Sequence, residues 1–220
     1  MTRSINLVFI ILILSSFSLQ AQSKKFEFGL NGGLVFRQVA PAKRIPRDGI
    51  SLGFLAGLTT EYHLFDHGSI VLNPGFQRKG HTSSIESGPY GPRLKMTYDY
   101  NYVVLPMLFR KYEKKHYFFI NAGPYIAFLA SQRITYSANY DYPTTYINRT
   151  DFYRRVDFGL TAGFGAKIPI KEHFHFMAEL QATRGISNVL KNEIFNGYFN
   201  DRTYMRMFTG NIILGMSYRL

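Results

Sequence analysis

The sequence predicts an all-β chain, an eight-stranded antiparallel transmembrane β-barrel, and three observations carry that expectation. Apolar residues recur at every second position in eight successive blocks, the pattern of a strand with two unlike faces. The connections between blocks alternate between long and short. No apolar stretch after the N-terminal leader is long enough to span a bilayer as a helix, whereas barrel strands are half polar by construction.

The leader itself comes first. Arg3 supplies a positive start, Leu7 to Leu14 is unbroken apolar sequence, and small residues follow at Ser15, Ser16, Ser18 and Ala21. That order is a secretory signal peptide, too short to cross a membrane as a helix. Residues 1–21 are therefore expected to be removed and 22–220 to form the barrel domain, with Ser18 and Ala21 both open as cleavage points. Loss of the leader takes away only Arg3 among charged groups, leaving +11, one below the +12 of the whole chain. A nucleic-acid binder can share such a charge, but an exported chain does not meet nucleic acid. With no cysteine in the chain, disulfide scaffolds, thiolate metal sites, cysteine nucleophiles and a lipoprotein anchor are excluded. Sixteen tyrosines, 20 phenylalanines and 19 glycines without a tryptophan favour strands with aromatic belts.

The first block, Phe26 to Arg37, sets Phe26, Phe28, Leu30, Leu34 and Phe36 against Glu27, Gly29, Asn31, Gly33 and Arg37. The second, Ile50 to Leu64, sets Leu52, Phe54, Ala56, Leu58 and Tyr62 against Gly53, Gly57, Thr59, Glu61 and His63. The third alternates Ile70, Leu72, Pro74 and Phe76 with Ser69, Asn73, Gly75, Gln77 and Lys79. In the fourth, Tyr98, Tyr100, Tyr102, Val104 and Leu108 are read as the apolar face and Asp99 and Asn101 as the polar one; Val103 to Phe109 is apolar on both. The fifth, Tyr117 to Arg133, opposes Phe118, Ile120, Ala122, Ile126 and Phe128 to Asn121, Gly123 and Tyr125. The sixth, Tyr153 to Ile168, opposes Val156, Phe158, Leu160 and Phe164 to Asp157, Thr161, Gly163 and Lys167. The seventh sets Phe174, Phe176, Ala178 and Leu180 against His173, His175, Glu179 and Gln181, and the last, Tyr204 to Leu220, sets Phe208, Ile212, Leu214, Met216 and Tyr218 against Thr209, Asn211, Gly215, Ser217 and Arg219.

Long connections fall at Gln38 to Gly49, Thr82 to Leu94, Ile134 to Phe152 and Ser187 to Thr203; short ones at Phe65 to Gly68, Glu113 to Lys115 and Pro169 to Glu172. Four long loops, three short turns and both chain ends on the short side are the topology of an outer-membrane barrel. A secreted lipocalin-like barrel shares the alternation, so the polar face decides. It mixes glycine with Asn, Gln, Glu, Asp and Lys, which suits a cramped closed interior; the other face is bulky Phe, Leu and Ile, which suit hydrocarbon. The expected lumen network is Glu27, Glu61, Asp99, Asp157, Glu179, Lys79, Lys167 and Arg219. Closure requires the last strand to pair with the first, because an open edge in lipid leaves backbone groups unsatisfied.

The blocks "FGLNGGLVF" (Phe28 to Phe36), "YDYNYVVLPMLFRKY" (Tyr98 to Tyr112), "FFINAGPYIAFLAS" (Phe118 to Ser131), "DFGLTAGFGAKI" (Asp157 to Ile168) and the ending "LGMSYRL" resemble the Bacteroidetes PorT-like outer-membrane β-barrel family. The resemblance implies residence in the outer membrane and insertion by the barrel-assembly machinery. Gly215, Tyr218 and Leu220 are similar to a C-terminal assembly signal, although the last residue is not aromatic. One family member is implicated in type IX secretion; no motif here assigns that role.

No catalytic constellation emerges. His173 and His175 share a face beside Lys171 and Glu172, and a solvated or interfacial pair fits them better than a metal site lacking a third ligand. The "GFG" of Gly163 to Gly165 precedes no helix, so it is no phosphate loop. "TRGISN", Thr183 to Asn188, parallels the His-x-Ser-Asn element of lipid A deacylases but has Gly185 where the base belongs, which leaves Ser187 without activation. The chain is thus expected to be no enzyme and to need no cofactor or metal. Arg110, Lys111, Lys114 and Lys115 cluster at the second short turn as candidate contacts to headgroups or a periplasmic partner. Lys43, Arg44 and Arg47 in the first long loop are candidates for lipopolysaccharide phosphates. Outer-membrane lipid and lipopolysaccharide are the expected surroundings. The functions open at this point are a structural or loop-binding barrel, an accessory subunit of a secretion or assembly machine, and a lipid-modifying enzyme.

Overall fold

Alternating aromatic and aliphatic residues favour extended backbone, and extended backbone in lipid has one way to satisfy every N–H and C=O, which is a sheet closed on itself. The computed structural model describes residues 25–40, 51–86, 93–115, 117–138, 145–148, 150–191 and 206–220. The leader, the first long loop with Lys43, Arg44 and Arg47, and residues 139–144 and 192–205 of the last two long connections lie outside the described residues.

Among the described residues ten antiparallel strands form one sheet: β1 (Phe26–Ala40), β2 (Ser51–Phe65), β3 (Gly68–Leu72), β4 (Gly75–Glu86), β5 (Arg93–Tyr112), β6 (Phe118–Ala138), β7 (Thr145–Asn148), β8 (Val156–Pro169), β9 (Phe174–Gly185) and β10 (Arg206–Arg219). Strand β1 pairs with β2 on one side and with β10 on the other, the latter from Glu27↔Arg219 to Ala40↔Arg206. The ring continues through β3 and β4 to β5, then β6, β8, β9 and back to β10. Strands β3 and β4 are one wall position interrupted at Asn73 and Pro74, and β7 is a short addition to the far end of β6. Eight strands therefore close the barrel.

The third block differs from expectation in being broken, because Pro74 has no N–H for the ladder. The carbonyl of Pro74 still accepts from Leu58 at 2.9 Å, and Asn73 N–H still reaches Pro106 O at 3.2 Å, so the wall stays sealed. Two long connections are shorter than expected, since β4 and β5 pair out to Glu86↔Arg93 and β6 runs to Ala138.

The burial pattern is inverted relative to a soluble protein. Leu30 is 67% exposed, Ile120 62% and Phe164 59%, whereas Arg110 is 0% and Lys79 1% exposed. Apolar side chains cover the outside and ionised ones fill the inside, as a barrel in lipid requires. At the short-turn end the outer face carries packed rings, Phe26 with Tyr62 at 4.8 Å and Phe174 with Tyr218 at 5.0 Å between centroids. Such rings suit the membrane boundary, with an apolar body and a polar tip.

One strand turns the other way from its sequence reading. In β5, Tyr100, Tyr102, Leu108, Arg110 and Tyr112 are buried in the lumen. Asp99 and Asn101 face outward, where Arg78 Nε meets Asp99 Oδ1 at 3.9 Å and Asn101 Oδ1 at 3.3 Å. Asp99 is therefore no member of the lumen network. Tyrosine buries its ring on either face if its hydroxyl finds a partner, so the parity of β5 is decided by Arg110, which finds carboxylates inside.

Candidate functional site

The lumen holds the chain's concentrated chemistry, arranged in layers from the short-turn end upward. The lowest layer is ionic. Lys167 on β8 lies 2.9 Å from Glu27 on β1 and 2.7 Å from Glu61 on β2, and donates to the Tyr112 hydroxyl at 2.8 Å. Arg110 on β5 donates through Nη1 to Glu61 at 3.0 Å and through Nη2 to Glu179 on β9 at 3.1 Å, with its guanidinium 4.0 Å from the Phe119 ring centroid. Neutral donors reach the same carboxylates. Ser69 and Tyr112 donate to Glu61, Ser217 to Glu27, and Asn121 and Gln181 to Glu179. Buried ions are tolerable only with this degree of pairing. Five strands are tied across the barrel by two cations.

Above it lies a neutral layer. Gln77 donates to Asn211 at 3.1 Å and Asn211 to Gln181 at 3.0 Å, while Thr161 and Thr183 hydroxyls meet at 3.1 Å. These groups border a cavity of about 40 Å³, room for a few waters rather than a pore. Next, Lys79 sits 3.7 Å from Asp157 and 5.0 Å from each of the Tyr102 and Tyr125 ring centroids. Tyr125 and Ser187 also donate to Asp157, at 2.9 and 2.5 Å. An apolar cap of Leu129, Val189, Leu190 and Met207 closes the top, with Tyr100 donating to Tyr153 at 3.1 Å. Tyr153 and Leu190 are bridged backbone to backbone, so residues of the last two long loops fold into the mouth. The phenol of Tyr153, outside the strands, is raised above its ordinary pKa by burial, with the bond from Tyr100 opposing.

The expected network residues Glu27, Glu61, Asp157, Lys167 and Glu179 lie in these layers together with Lys79. Arg219 lines a vestibule of about 160 Å³ at the short-turn end, beside His63, Lys115 and His175. Arg110 is the second correction: it is a buried lumen ion and no headgroup contact, because its guanidinium pairs with Glu61 and Glu179. Lys111, Lys114 and Lys115 remain exposed at the turn. Gly215 faces inward, whereas Tyr218 and Leu220 are 40% and 38% exposed on the outer face, Leu220 N–H reaching Phe26 O at 3.0 Å.

Among the described residues, Glu27, Glu61 and His63 are close enough to share a metal ion, but Lys167 already occupies the cation's place between the two carboxylates. His173 donates to Arg219 O at 3.0 Å, and His175 points at Glu27 from 3.9 Å. Ser187 donates a hydrogen bond to Asp157 and, among the described residues, meets no imidazole. Sequence reasoning missed the roles of Arg110, Tyr100 and Tyr102; the available signal was the even-numbered parity that joins them to Tyr112.

Residues 20–191 match the family described as outer membrane protein beta-barrel domain. The chain belongs to that family. It is an outer-membrane barrel, so its three short turns are periplasmic and its long loops extracellular. Among solved structures, this outer-membrane barrel is similar to Ail, the attachment invasion locus protein of Yersinia pestis, at 14% identity, covering 89% of this chain and 99% of that one with a TM-score of 0.43. It is also similar to Neisserial surface protein A at 10% identity, 90% and 98% coverage and TM-score 0.43. OprG from Pseudomonas aeruginosa follows at 12% identity, 89% and 96% coverage and TM-score 0.39. Comparison with curated protein sequences gives no match.

Proposed function

We propose that this protein is a non-enzymatic outer-membrane barrel whose rigid, filled wall holds its extracellular loops for an envelope-structural or binding role. The observation that carries this reading is the lumen: charged, amide and apolar layers fill it from the vestibule to the mouth, and the loop segments around Tyr153 and Leu190 are pinned there. A filled interior has no passage for solute, and a fixed mouth gives the loops a platform. Ser187, held by Asp157 with no base beside it among the described residues, supports the non-enzymatic reading. Lipid A from cells overexpressing the protein is expected to keep its mass, and a new lipid A species would overturn that part of the proposal.

A second reading is favoured by the exposed turn at Glu113 to Tyr117. Lys111, Lys114 and Lys115 border a depression of about 860 Å³ together with His67, Tyr112 and Phe118. This basic, partly aromatic periplasmic surface suits an accessory subunit of a secretion or assembly machine, and the PorT-like resemblance points the same way. Co-purification from detergent-solubilised membranes separates the two readings. A stoichiometric partner lost on replacing Lys114 and Lys115 with Glu favours the accessory role; retention of the same partners favours the loop-displaying one.

A further inference from the structure

We infer that the outer end of the β8–β10 wall is a binding site for the phosphate groups of the outer-leaflet glycolipid, formed by Arg184 and Arg206. This goes beyond the loop-binding proposal and does not depend on it. The outward positions of β8, β9 and β10 alternate with buried ones along each strand. They are Val156, Phe158, Leu160, Ala162, Phe164, Ala166 and Ile168; Phe174, Phe176, Ala178, Leu180, Ala182 and Arg184; and Arg206, Phe208, Gly210, Ile212, Leu214, Met216 and Tyr218. Across this whole face only two residues are charged. Both are arginines, both are exposed, and both lie at the loop end.

Their placement is not that of solvated surface charges. Arg184 is opposite Phe208 on β10 and Leu160 on β8, so Arg206, two residues beyond Phe208 on the same face, is its diagonal neighbour. Exposed Phe158, Leu160, Ile186 and Phe208 surround Arg184. Diagonal neighbours on one face are about 7–8 Å apart, so the two cations repel unless an anion sits between them. Among the described residues no acidic side chain shares this face.

The opposite wall provides the contrast. There Arg78 meets Asp99 and Asn101, and Arg133 stands in register with Asp99, so that wall supplies its own anion. The β8–β10 wall leaves the anion to come from outside. Height identifies its source: Arg184 is ten residues beyond Phe174 at the periplasmic belt, which at barrel tilt is about 26 Å, the height of the apolar band. At that level a guanidinium fork meets lipid phosphates, which it binds with paired, charge-assisted hydrogen bonds.

The test is native mass spectrometry of the full mature protein in detergent micelles, titrated with diphosphoryl lipid A or with lipid A stripped of both phosphates. The wild type is expected to retain the diphosphoryl form at least about tenfold more tightly, the effect of one charge-assisted contact or more. Arg184→Gln with Arg206→Gln is expected to erase that preference, while Arg78→Gln keeps it. Excess inorganic phosphate is expected not to displace the lipid. Equal binding of both lipid A forms by the wild type, an unchanged preference in the folded double variant, or displacement by inorganic phosphate would each overturn the inference. Because the wild-type comparison alone is decisive, a double variant that fails to fold does not shelter it.

Discussion

Arg110 is a wholly buried cation that bridges two carboxylates. Its guanidinium spans Glu61 and Glu179 from opposite sides of the lumen and stacks on Phe119. Replacing it with Met leaves Glu179 buried with only neutral donors from Asn121 and Gln181. Breaking a buried pair in this way costs about 3–5 kcal/mol, so Arg110→Met is expected to lower the urea midpoint of unfolding markedly. Asp99→Asn, on the outer side and paired with the exposed Arg78, is expected to cost about 0–1 kcal/mol. Equal effects from the two variants would mean that the parity of β5 has been assigned wrongly. Glu27, Asp157, Lys167 and Glu179 were legible as lumen residues because each sits between apolar neighbours, and Glu61 because it continues the alternation of Leu52, Phe54, Ala56 and Leu58 on the opposite face. Asp99 and Arg110 were not, since the tyrosines around Asp99 suit either face and the run from Val103 to Phe109 carries no parity signal at all.

At the scale of the strands, glycine positions show how tightly the wall is wound. A β-carbon on Gly33 would run into the carbonyl oxygen of Ile212 on the neighbouring strand. The sequence reading gave such glycines the task of making room in the lumen; at Gly33 the room is needed by backbone across the β1–β10 seam. Gly33→Val is therefore expected to destabilise the barrel by about 1–3 kcal/mol, the usual cost of overpacking. Gly210→Val, where nothing lies within 4 Å, is expected to fold as well as the wild type in the same unfolding titration. Strand number, order and the short turns were readable from period and spacing. The break at Pro74 and the outward reach of β5 and β6 were not, because they depend on which strand lies alongside.

The whole molecule is a closed wall around a solid polar interior. Three carboxylates, an arginine and a lysine fill the lower lumen, the Lys79 and Asp157 pair the upper, and loop residues the mouth. Planar-bilayer recordings of the refolded protein are expected to show no discrete conductance steps; steps of porin size would require the ionic layers to be absent or open. Closure of β1 on β10 and residence in the outer membrane form the central claim, and a heat-modifiability gel of fractionated cells tests both together. The account predicts a band confined to the outer-membrane fraction that migrates faster unheated than after boiling. A soluble protein whose mobility is the same before and after boiling would contradict it.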